Sequence, residues 1–114
     1  MRLPFDVAVQ QLRELLTPRV VAYVADVRET RAVNEWAEGV RDVRSPATEE
    51  RLRFALQVGL LLSEHDDRRV VQAWFQGLNP NLGDHSPARL LREGELGDVG
   101  PKVMAAARAF LVGG

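Results

Sequence analysis

At 114 residues, with 46% apolar and 27% charged side chains, the chain carries enough apolar material for one hydrophobic core and lies outside the composition of disordered chains. It has no cysteine, which excludes a disulfide framework, a thiolate nucleophile and a cysteine-based zinc site, and agrees with a cytoplasmic setting. Net charge is −1 and the first 53 residues hold as many Arg as Asp plus Glu, so neither half is a basic block that would hold phosphates by bulk charge.

Phe5, Val9, Leu12, Leu15 and Leu16 recur at three- and four-residue spacing, which predicts a first helix with Gln10, Arg13 and Glu14 outside. Asp6, Gln10 and Gln11 interrupt its apolar residues, so no signal-peptide core is expected there. Thr17-Pro18 then supplies an N-cap oxygen and a residue suited to the first helical position, and Val20, Val21, Val24 and Ala25 follow. Thr30 is the next cap candidate, ahead of Val33 and Trp36, with Gly39 as the stop.

Ser45-Pro46 opens a long helix in which Leu52, Ala55, Leu56, Gly59, Leu60 and Ser63 share a stripe, widened by Phe54, Val58, Leu61 and Leu62. A helix so apolar belongs at the centre. Its aliphatic run, 58–62, falls far short of the roughly 20 residues that cross a bilayer, so no membrane association is expected. Asp67 caps a helix holding Val70, Val71, Trp74 and Phe75; Ser86-Pro87 opens a short one holding Leu90 and Leu91 and closed by Gly94. A last helix from about Asp98 places Val99, Val103, Ala107 and Phe110 on the core and leaves 111–114 beyond it. The expectation is an all-α fold of six or seven helices, divided into residues 1–64 and 65–114.

Residues able to carry chemistry are sparse. His65 and His85 are the only histidines and neither stands in a ligand spacing, so His65, Asp66 and Asp67 read as a capped turn, with no metal and no cofactor expected. No G-x-S-x-G, G-x-G-x-x-G or P-loop pattern occurs, which argues against an enzyme. The stretch 20–39 instead has the arrangement of a helix-turn-helix whose second helix would expose Arg28, Arg31 and Asn34, side chains able to reach DNA. Two features depart from that motif: Asp26 stands where glycine commonly sits, and the turn is one residue longer.

Residues 73–94, AWFQGLNPNLGDHSPARLLREG, resemble the C-terminal toxin-binding domain of the Xre/MbcA/ParS antitoxin family, through Trp74, Asn79, Pro80, Leu82, Pro87, Leu91 and Gly94. The helix-turn-helix followed by a long helix is similar to that family's N-terminal half. The resemblance implies a cytoplasmic antitoxin, a homodimer, whose C-terminal part caps a RES-domain toxin that degrades NAD, and which binds operator DNA to regulate its own operon. Folding alone gives Trp36, Trp74, Asn79, Pro80, Pro87, Leu91 and Gly94 structural reasons to exist, as core, loop or helix boundary. Toxin contacts are therefore expected from Leu82, Asp84, His85, Arg89, Arg92, Leu111 and Val112. The competing reading is a stand-alone helix-turn-helix regulator.

Overall fold

The computed structural model describes residues 2–113, which leaves Gly114, part of the tail singled out above, outside the described residues. Seven α-helices and one 3-10 turn run in the order α1 Phe5–Leu16, α2 Pro18–Ala25, α3 Thr30–Glu38, α4 Pro46–Ser63, α5 Arg68–Gln76, the turn Pro80–Leu82, α6 Pro87–Glu93 and α7 Leu96–Leu111. The fold is all-α. Its sole β-like feature among the described residues is an isolated antiparallel bridge between Asn79 and His85.

Side-chain oxygens start most of these elements. The Val20 N–H donates to Thr17 Oγ1 at 3.4 Å, Thr48 to Ser45 Oγ at 3.2 Å, Val70 to Asp67 Oδ1 at 3.1 Å and Arg89 to Ser86 Oγ at 3.1 Å. Each occupies one donor that a helix start leaves free, a gain of about 1 kcal/mol. Pro18, Pro46 and Pro87 follow three of these caps, where their missing N–H costs nothing. Thr30 differs from expectation: it is the first residue of α3, and the cap position falls to Glu29, which makes no side-chain bond. The chain is already extended at Glu29 (φ −123°, ψ 146°), so the helix begins one residue earlier than a threonine cap requires.

One core joins all seven helices. Val9, Leu12 and Leu16 of α1 and Leu52, Ala55, Val58 and Leu62 of α4 meet at its centre, α1 also packing on α2, α3 and α5 while α4 packs on α7. Full burial of each such aliphatic side chain contributes about 1.5–3 kcal/mol. Leu60 and Ser63, expected on the buried stripe of α4, are exposed, because the arc that meets other helices is the one bearing Leu52, Leu56, Gly59 and Leu62. Gly59 lets α1 come close, since a Cβ there would stand 3.2 Å from Leu15 Cδ1.

Trp36 and Trp74 are both buried, the first edge-on to Phe5 with ring centroids 6.0 Å apart, the second edge-on to Phe75 at 5.2 Å. Neither indole N–H has an acceptor. No helix among the described residues is long and apolar enough to cross a membrane.

Candidate partner-binding surfaces

The turn between α2 and α3 is shaped by Asp26, whose backbone is left-handed (φ 59°, ψ 42°). The Val27 N–H returns to the Ala22 carbonyl at 3.0 Å, closing the last turn of α2 as a glycine would. Asp tolerates this conformation because its short polar side chain can be held locally, and here a distant arginine holds it. Arg92 of α6 places Nη2 2.8 Å from Asp26 Oδ1, donates from Nη1 to the Tyr23 carbonyl at 2.9 Å, and lies 4.5 Å from the centroid of the Tyr23 ring.

The three side chains expected to reach DNA stand in different circumstances. Arg28 is exposed and makes no hydrogen bond or ion pair among the described residues. Arg31 is exposed too, but its Nε lies 3.2 Å from Glu35 Oε2, one turn on in α3. Arg41 meets the same carboxyl at 3.1 Å. Arg31 first, and Arg41 second, hold Glu35 below the usual carboxylate range through these bonds. Asn34 faces inward and is half-buried, its Oδ1 accepting from Arg13 Nη1 of α1 at 3.0 Å. A period-based reading of α3 put Asn34 opposite Val33 and Trp36; the position of α1 decides otherwise.

In the C-terminal half, Asn79 organises the loop. Its Oδ1 accepts from the Asn81 N–H at 2.9 Å, its carbonyl accepts from Leu82 and Asp84, each at 2.9 Å, and its own N–H donates to the His85 carbonyl at 3.2 Å. Gly83 and Asp84 are both left-handed (φ 65° and 62°), which turns the chain back. That reversal buries Leu82 to 7% exposure, so the leucine expected on the free surface is a core residue against α7. Asp84, His85 and Arg89 remain exposed, Arg89 with its Nε 3.2 Å from Glu93. Pro87 and Leu91 are buried, and Gly94 lies so near Val99 that a Cβ would stand 2.4 Å from its Cγ1.

The end of α7 reverses a second expectation. Phe110 is 38% exposed although Val99, Val103 and Ala107 are buried, and Leu111 packs on the core in its place, leaving Val112 at 86%. Phe110 overlies a groove of about 350 Å³ that it lines with Trp74, Leu78, Asn79 and Pro80. Leu78, at 76% exposure, stands on its rim; nothing in the sequence separated it from other loop residues. His65, Asp66 and Asp67 form a turn, and no cluster of three potential metal ligands occurs among the described residues.

No family model and no curated protein matches the chain. A solved structure does: a chain of the M. tuberculosis MbcT-MbcA toxin-antitoxin complex superposes with a TM-score of 0.70 at 26% identity, over 95% of this chain and 97% of that one. The likeness takes in the N-terminal helices and the C-terminal loop together, so the chain is similar to an MbcA-type antitoxin over nearly its whole length.

Proposed function

We propose that this homologue of MbcA is the antitoxin of a toxin-antitoxin pair and silences its toxin by binding, without catalysis. The observation that carries the reading is the end-to-end likeness to a chain crystallised in a toxin-antitoxin complex. The surface agrees with it. Leu78, Phe110 and Val112 are large apolar side chains left in water at the C-terminal end, two of them on one groove, and a partner that covers them gains about 1.5–3 kcal/mol for each one fully buried.

On this reading Leu78, Phe110 and Val112 enter the toxin, and Asp84, His85 and Arg89 form the polar rim. Leu82, Leu111 and Arg92 act from behind, the leucines as packing under the surface and the arginine as a strut to α2. The partner is a RES-domain toxin that degrades NAD, as the motif resemblance implies, and the C-terminal part covers its active site. Residues 65–114 supply this surface and residues 1–64 the helix-turn-helix. A homodimer would present two such motifs to DNA, supporting control of the antitoxin's own operon; the left-handed turn at Asp26 favours this second role.

Co-expression with the product of the adjacent gene tests the proposal. Co-elution of the two chains, with growth and cellular NAD preserved, is the expected result. Separate elution with no protection would overturn it and leave the stand-alone regulator.

A further inference from the structure

Where the start of α2, the end of α5 and the start of α6 meet, a groove of about 620 Å³ has Thr17, Arg19, Tyr23, Gln76 and Ser86 as its polar lining and no carboxylate among its lining residues. It shares no residue with the groove beside Phe110, and its size suits a small ligand. Its hydrogen-bonding groups are one-sided. Arg19 is exposed and has no hydrogen-bond or ion-pair partner among the described residues. The hydroxyls of Thr17 and Ser86 accept from the Val20 and Arg89 N–H groups at 3.4 and 3.1 Å, and their own protons, like that of Tyr23, have no acceptor among the described residues. A guanidinium and three O–H donors on one concavity favour a ligand that is rich in acceptors and negatively charged. The acids nearby lie elsewhere: Glu29 lines only the neighbouring groove, and Asp26 is paired with Arg92. Tyr23, 38% exposed, lines both grooves, whereas Arg92, 4.5 Å from its ring centroid, lines only the neighbouring one. The ring is therefore a partition, with Arg92 on the far side. Thr17 is held at φ 82° and ψ 151°, which a β-branched residue rarely adopts, and strain of this kind gathers at binding sites.

We infer that this groove is a site for a small organic oxyanion: Arg19 pairs with its phosphate or carboxylate group, the lining hydroxyls donate to the remaining oxygens, and an attached flat ring lies against Tyr23. A small molecule is the occupant because the lining holds one uncompensated cation, and a polyanion needs a row of them. Phosphate and carboxylate present the same chemistry to a guanidinium, a planar or near-planar set of charged oxygens within reach of its fork. The site belongs to both halves of the chain, since Arg19 and Tyr23 come from α2 and Gln76 and Ser86 from α5 and the α6 cap. It does not depend on the antitoxin reading.

Tyr23 is the only tyrosine, so its ring protons report on this place alone. The test is an NMR titration of the full chain with phenyl phosphate, benzoate, inorganic phosphate and phenol. At least one of the two ring-bearing anions should shift the Tyr23 signals saturably, with a Kd of about 1 mM or tighter, and the tighter of them identifies the oxyanion. Inorganic phosphate and phenol, each lacking half of the ligand, should bind at least about tenfold more weakly. Arg19→Gln should weaken the preferred anion by at least about tenfold, and Arg19→Lys, which keeps the charge, by less. Arg28→Gln, which removes the free arginine of the neighbouring groove, should change nothing. Thermal melts of the Arg19 variants should match the parent, because the side chain is exposed and unpaired, so a loss of binding is not unfolding. No saturable shift with either ring-bearing anion, or phenol bound as tightly as they are, would overturn the inference. So would sensitivity to Arg28→Gln without sensitivity to Arg19→Gln, which moves the ligand to the neighbouring groove. Inorganic phosphate bound as tightly as phenyl phosphate would overturn the part given to Tyr23. Loss of partner co-elution in Arg19→Gln, with no anion bound by the parent, would also overturn it and assign Arg19 to a carboxylate of the partner protein. A titration without binding, with co-elution kept, leaves the antitoxin reading intact.

Discussion

Arg92 Nη2 stands 2.8 Å from Asp26 Oδ1, and through this pair α6 braces the turn between α2 and α3. The pair is partly exposed, so its ionic part is screened to about 1 kcal/mol at most. The bond from Arg92 to the Tyr23 carbonyl and its stacking on the ring add to it. Arg92→Ala should therefore cost about 1–2 kcal/mol in urea unfolding. Asp26→Gly loses the ion pair but removes left-handed strain, and should be nearly neutral, whereas Asp26→Ala loses the pair and keeps the strain, about 1–2 kcal/mol worse than the glycine variant. Equal stability of the two variants would deny that the backbone conformation matters there.

Two glycines near the start of α7 should respond in opposite directions. At Gly94 an added Cβ would lie 2.4 Å from Val99 Cγ1 and 3.0 Å from the Leu90 carbonyl, so α6 and α7 would have to separate. Gly94→Ala should destabilise by about 1–3 kcal/mol. Gly97 sits in the first turn of α7 with nothing within 4 Å of its missing Cβ, and Gly97→Ala should be neutral or stabilise by up to about 1 kcal/mol. Thermal melts of the two single variants decide it, and a destabilised Gly97→Ala would contradict this account of the α6–α7 junction.

These contrasts mark what the sequence could reveal. Caps at Thr17, Ser45, Asp67 and Ser86 are local chemistry, settled within three residues, and each stands where the pattern put it. Trp36 and Trp74 were legible as core because helical spacing put them beside other apolar residues. Asn34 was misplaced because its partner, Arg13, comes from a helix whose packing angle no local pattern encodes. Leu82 was misplaced because two successive left-handed residues, Gly83 and Asp84, fold its loop under itself. Phe110 was misplaced because α7 turns Leu111, one position on, toward the core and leaves Phe110 exposed beside the 77–81 loop, whose course no local pattern encodes. The departure of Asp26 from a glycine turn became intelligible only with Arg92 beside it, since the two meet through tertiary structure.

Glu35 gives a pH-dependent signature. Its carboxyl titrates below the ordinary 4.5, chiefly through Arg31 and secondarily through Arg41. The folded value lies under the unfolded one, so the stabilisation is fully present above the unfolded value and is lost as pH falls through the folded one. Carboxyl NMR should show Arg31→Gln raising the Glu35 midpoint more than Arg41→Gln does. The reverse order, or a midpoint at the ordinary value in the parent protein, would remove the bridge as an organiser of α3.

The proposed neutralising surface offers the sharpest separation of folding from binding. Leu78 is 76% exposed and Val112 86%, so little of either is withdrawn from water on folding, and Phe110 at 38% is only partly so. Leu78→Ser and removal of the tail from Val112 onward should each leave stability within about 0.5 kcal/mol, because surface changes away from packed features rarely exceed that. Leu111 must be kept, since it packs on the core and a cut before it would mix unfolding with lost binding. In the toxin complex the same side chains would be buried, and losing one costs about 1.5–3 kcal/mol, or roughly 10- to 150-fold in affinity. On the proposed function, Leu78→Ser and Phe110→Ala combined should therefore give a folded protein that no longer co-elutes with the toxin, and a fall in cellular NAD on co-expression if that toxin is of the NAD-degrading kind proposed. Leu82→Ala should behave in the opposite way, losing about 2–5 kcal/mol of stability as a buried leucine while its folded fraction still binds. Full protection by the Leu78, Phe110 double variant, at unchanged toxin affinity, would move the neutralising contacts to the polar rim of Asp84, His85 and Arg89.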